Sequence, residues 1–114
     1  MNWEQLQGFY MGKVSIIGLN FNDKNGELIE AYQTHGTVIE LTNDGMFRIK
    51  RKDGSIFHVP FDENSILETE KADYREHKTG ILIKRPDFII VLEVTVMDNE
   101  IIELIKLNGF IDFD

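Results

Sequence analysis

Cysteine is absent from this chain of 114 residues. Neither a disulfide framework nor a thiolate-ligated zinc centre is therefore open to it, and the absence fits a reducing compartment. Long apolar runs are lacking too. The longest aliphatic or aromatic stretch, Phe88-Ile89-Ile90-Val91-Leu92, falls far short of a bilayer span. The opening residues Met1-Asn2-Trp3-Glu4-Gln5-Leu6 hold neither the basic segment nor the apolar segment of a secretory leader. The expected location is cytoplasmic.

Catalytic signatures are equally scarce. Ser15, Ser55 and Ser65 are the only serines, and none stands between glycines in a nucleophile elbow. The nine glycines form no dinucleotide fingerprint and no phosphate-cradling loop. His35, His58 and His77 never fall two or four residues apart, so no strand face or helix turn pairs them as metal ligands. The expected roles are a turn for His35, the less apolar strand face for His58 and a solvated loop for His77. Carboxylate neighbours such as Glu27/Glu30 and Asp62/Glu63 follow from the abundance of acids, whereas acid–base catalysis needs two groups in different environments within one cleft. No enzymatic activity, cofactor or metal is expected.

What is present is a globular balance: 42% hydrophobic and 28% charged residues, with eight Phe, three Tyr and one Trp. Each fully buried Phe contributes about 1.5–3 kcal/mol, enough to build one core without covalent staples. The length suits one domain over residues 1–114.

Period-two alternation dominates the pattern. Strands are expected at Val14–Phe21, Leu28–Gln33, Thr37–Thr42, Met46–Arg51, Ser55–Phe61, Phe88–Val96 and Ile101–Leu107. Gly18 suggests a bulge or a close backbone approach, and His35-Gly36 a break. Asn25-Gly26, Asp44-Gly45 and Asp53-Gly54 supply hairpin corners, so Thr37–Phe61 reads as a three-stranded meander. Asn2 and Gln5 have capping-box spacing before one short helical turn that Gly8 ends, a plug for one end of a barrel. Residues 62–79 read as a polar connection with at most one short helical turn. The spacing of Ile101, Ile102, Leu104 and Ile105 also allows a helix, but three Ile in a short segment favour a strand. The expected fold is all-β with one or two short helical turns: a small antiparallel, partly open β-barrel of SH3-like kind, or alternatively a two-sheet sandwich.

Charge divides the surface. The net charge is -8, which disfavours non-specific nucleic-acid binding and suits a basic partner. From Pro86 onward Lys106 alone faces seven carboxylates. Glu93, Asp98, Glu100 and Glu103, with Asp112 and Asp114, would gather on a final hairpin as a partner-binding surface. The opposite candidate is Arg48, Lys50, Arg51 and Lys52: Arg48, Lys50 and Lys52 share a strand face, Arg51 tends toward the other face unless the turn swings it out, and Met46 and His58 could flank them. Such a patch could hold RNA or an acidic protein, but Phe47 and Phe57 point inward and leave no stacking aromatics. The same charges would also serve as a solvated face that discourages edge pairing. Arg85, Pro86, Asp87 and Glu93 read as gatekeepers of the apolar segment from Phe88 to Val96.

The runs Phe57-His58-Val59-Pro60-Phe61-Asp62, Ala72-Asp73-Tyr74-Arg75, Thr79-Gly80 and Pro86-Asp87-Phe88 resemble a pattern in small uncharacterised bacterial proteins. The similarity spans about a third of the chain and involves no catalytic motif. It implies a compact binding protein, of the kind that gives immunity to a secreted toxin, and it transfers no functional residue. The leading expectation is a small protein-binding domain that neutralises a basic toxin. A nucleic-acid-binding barrel and an enzyme with a spatially assembled site are the alternatives.

Overall fold

A computed structural model describes residues 2–76 and 78–111. The polar corners fold the chain where the sequence places them. Gly45 donates its N–H to the Thr42 carbonyl and Gly54 to that of Arg51, each at 3.0 Å, closing two successive hairpins. They join β2 (Leu28–Leu41), β3 (Met46–Lys50) and β4 (Ile56–Pro60) in the expected meander. Phe47, Ile49, Phe57 and Val59 alternate inward and are fully buried. Asp23 anchors the earlier corner by accepting from the backbones of Asn25 and Glu27, and links β1 (Val14–Asn22) to β2.

The two strands expected on either side of Gly36 are one strand of 14 residues. A Cβ at Gly36 would lie 2.4 Å from the Lys50 carbonyl oxygen. The missing side chain thus admits β3 against β2 instead of ending β2. Gly18 marks no bulge: its neighbours pair in regular register, and the irregularities fall at Phe21/Asn22 and Val38/Glu40.

Beyond the meander, β5 (Ile66–Glu68), β6 (Tyr74–Arg75), β7 (Leu82–Ile83) and β8 (Phe88–Thr95) follow. The main sheet has six strands in the order β4-β3-β2-β1-β8-β5, and β6–β7 form a separate pair. β8 runs parallel to β1, from Ser15 opposite Phe88 to Asn22 opposite Thr95. The sheet is therefore mixed, not purely antiparallel as expected. The returning strand at Ile101–Leu107 does not exist either: Asn99–Asn108 is a helix, α2. Asp98 caps it by accepting from Glu100 N–H, Ile102 and Ile105 enter the core, and Gly109 ends it. Cap, buried stripe and terminal glycine outweigh the β-propensity of isoleucine. Residues 62–79 are more than the expected polar connection: a single 3-10 turn, Glu63–Ser65, capped by Asp62, is followed by β5 and β6, each paired with a strand farther along the chain.

Among the described residues the fold is mainly β, and the six-stranded sheet does not close into a barrel. The two-residue strands of the second sheet are too short to serve as the other wall of a sandwich. The main sheet nevertheless curls. Strands β3 and β8 stand three spacings apart, about 14 Å in a flat sheet, yet the rings of Phe47 and Phe88 lie 5.9 Å apart. Helix α1 (Trp3–Tyr10) fills that end. It begins with the expected Asn2/Gln5 capping box, continues through Gly8, and sets Tyr10 edge-on against Phe47, Phe61 and Phe88. α2 packs into the same core cluster through Ile102 and Ile105, so one core lies between the inner sheet face and two helices.

Candidate partner-binding surface

The folding of α2 decides where the acidic residues go. Asp98 is spent on the cap, and Glu100 in the first turn complements the positive end of the helix. Glu100, Glu103, Leu104 and Leu107 recur at the spacing of one helix face, and all four are exposed. Leu104 keeps 48% and Leu107 61% of its surface in water, large values for leucines on a packed helix. The stripe is acidic in its first half and apolar in its second. Glu103 is tied only loosely to Lys106, at 3.5 Å. Lys106 is instead drawn to Glu30 at 2.7 Å, and that hydrogen bond raises its pKa above the ordinary lysine value.

Asp98, Glu100 and Glu103 thus share one helix, but Glu93 stands apart. Leu92 and Val94 turn toward the core while Glu93 projects from the opposite face of β8. Its two oxygens accept from Asn20 Nδ2 at 3.2 Å and Asn22 Nδ2 at 2.9 Å. Asp112 and Asp114 lie outside the described residues. The leucines were missed because a strand reading of 101–107 carries no helical stripe. Asp98 before the segment and Gly109 after it were the signal that could have revealed one.

The basic stretch is divided by the fold. Arg48 pairs with Glu40 at 2.8 Å and stands opposite His58 in the β3–β4 register. Lys50 and Lys52 are exposed and form no ion pair among the described residues. Arg51 lies on the other face, as strand alternation inclines it to, and the turn does not swing it out to join the patch. Its Nη1 donates to the Lys106 carbonyl at 3.2 Å and to the Tyr32 hydroxyl at 3.3 Å, and its Nη2 to the Leu107 carbonyl at 2.5 Å. Nε holds Ser55 Oγ at 2.9 Å, and the guanidinium lies 4.9 Å from the centre of the Phe57 ring. Arg51 therefore clamps the C-terminal end of α2, where bare carbonyls favour a cation. Ser55 in turn holds Asp53, and these hydrogen bonds lower the Asp53 pKa.

His58 occupies the expected strand face, with Nδ1 3.2 Å from the Asn108 carbonyl oxygen. His35 serves no turn. It lies in mid-β2 with Nδ1 3.5 Å from Glu76 Oε2, and Glu76 is only 6% exposed. Thr79 Oγ1 donates to Glu76 Oε1 at 2.9 Å, Gln33 Nε2 to the Tyr74 hydroxyl at 3.0 Å, and Lys78 Nζ to the Ala31 carbonyl at 3.0 Å. The Thr79 bond braces the β6–β7 hairpin internally, while the contacts to His35, Gln33 and Ala31 fasten it to the outer sheet face and leave a cleft beside Gly18, Gln33 and Tyr74. His77 lies outside the described residues. Among the described residues no three His, Asp or Glu side chains converge to hold a metal, and no helix is long and apolar enough to cross a membrane.

No family model, curated protein or solved structure matches this chain.

Proposed function

We propose that this chain is a small cytoplasmic protein-binding domain that engages a basic partner through α2. In its most concrete form it is an immunity protein that neutralises a basic toxin, the class implied by the bacterial resemblance. One observation carries the reading: Glu100 and Glu103 share an exposed stripe with Leu104 and Leu107. Carboxylates steer a cationic surface into place, and adjacent apolar side chains add burial once water is expelled. Such a stripe fits an apolar groove with Lys or Arg on its rim. The curled sheet fits the partly open, SH3-like barrel: residues 61–65 connect β4 and β5, the two opposite edges of the sheet. Five spacings of a flat sheet would set those edges about 24 Å apart, farther than a short link containing a 3-10 turn conveniently spans.

The test is partner capture from the source cell with three proteins: wild type, Glu100→Lys/Glu103→Lys and Leu104→Asp/Leu107→Asp. A basic protein should be captured by wild type and lost by both variants, while far-UV circular dichroism stays unchanged. An identical partner set for all three would sink the reading.

A further inference from the structure

β5 covers only part of the outer edge of β8. The pairing runs from Glu68 opposite Phe88 to Ile66 opposite Ile90 and stops there. Val91 to Thr95 retain β1 on one side, and among the described residues no strand or loop pairs with them on the other. Burial changes at the same point. Phe88 and Ile90 are buried, whereas Leu92 and Val94, on the same inward face, are only half-buried. The far edge of the sheet is finished differently: Phe110 N–H donates to the His58 carbonyl at 2.7 Å, and Gly109 forms a bridge beside β4.

Alternate residues of 91–95 therefore offer N–H and C=O groups to an incoming strand, with apolar side chains half-exposed beside them. The charge at the centre selects the occupant. Antiparallel pairing of this segment with a second copy, centred on residue 93, would set Glu93 directly against Glu93, and like charges opposite one another are destabilising. A Lys or Arg in that position is attracted instead. Asn20 and Asn22 hold the Glu93 carboxylate on the sheet surface where such a residue would project.

We propose that the free edge of β8 at Val91–Thr95 accepts an extended segment of a partner protein by strand addition, with a basic residue opposite Glu93 and apolar residues on either side. This surface is separate from the α2 stripe, so Glu100→Lys/Glu103→Lys leaves it intact and the two readings fail independently.

The probes are two synthetic peptides, acetyl-Thr-Val-Lys-Val-Thr-amide and the same sequence with Glu for Lys, added at millimolar concentration to the ¹⁵N-labelled protein. The Lys peptide should slow amide exchange at alternate positions within 91–95, and bind more tightly than the Glu peptide by about fivefold. Glu93→Lys should reverse the preference. Glu93→Gln, a smaller perturbation of the sheet, should abolish it. The proposal is overturned if neither peptide protects these amides, or if the preference ignores the charge at residue 93. It is also overturned if wild type alone shows this protection together with a dimer in sedimentation, because the occupant is then a second copy.

Discussion

At the scale of single residues, two contacts decide more than their neighbours do. Gly109 has φ 77° at the exit of α2, and a Cβ there would come within 2.0 Å of the His58 carbonyl oxygen. Gly109→Ala combines backbone strain with a clash, so a loss of at least about 1–3 kcal/mol is expected in urea denaturation. Arg51 offers a sharper comparison. Removing its guanidinium frees two helix-end carbonyls and uncovers Phe57. Arg51→Met should therefore cost about 1.5–3 kcal/mol, as for hydrogen bonds from a charged group. Lys50→Ala, one residue away and exposed, should fall within about 0.5 kcal/mol of wild type. Equal effects would return Arg51 to the surface patch. No sequence pattern marks Arg51 for this duty, because its acceptors lie on an element 55 residues farther along.

At the scale of elements, legibility followed distance along the chain. The β2–β3–β4 hairpins were readable because each Asp-Gly corner acts on its own flanks. The β1–β8 ladder was not, since parallel partners can stand far apart in sequence and no local turn announces them. Helix α2 was written in the sequence at its ends, yet the isoleucines between them argued for a strand. Reading the acids as one hairpin face then grouped Glu93 with Glu100 and Glu103, which the fold separates.

The docking of both helices should also depend on pH. Burial, and secondarily the charge of Glu63, raise the Tyr10 pKa above 10.0, while the Glu30 hydrogen bond raises that of Lys106 above 10.5. Both groups favour the folded state fully below their ordinary values and lose that contribution as pH climbs through the raised ones. The denaturation midpoint should thus fall above about pH 10. Ultraviolet absorbance should show Tyr10 ionising above the ordinary tyrosine value. A midpoint that holds steady to pH 12 would contradict this account. β8 supports a different expectation. Glu93→Thr removes the charge from an open edge flanked by β-branched residues, so self-association in sedimentation should increase.

At the scale of the whole molecule, the curl brings distant strands onto one core. Trp3 packs edge-on against Phe61 at 5.8 Å, and Tyr10 bridges Phe47, Phe61 and Phe88. The cluster thus ties α1, β3, β8 and the segment after β4 together. Unfolding followed by Trp3 fluorescence and by circular dichroism should show one shared transition. An earlier fluorescence change would mean that α1 undocks by itself. A chain ended at residue 85 should lack any cooperative transition, because β1 would lose a full ladder and the core would lose Phe88 and Ile90 of β8 and Ile102 and Ile105 of α2.

That ladder also sets an order in time. Asn20 meets Glu93 across 73 positions, so during synthesis β1 emerges long before the strand that completes it. The β2–β4 meander can form on the ribosome while one flank of β1 stays bare. Emergence of β8 then becomes the moment of commitment, because only that strand closes the second flank of β1.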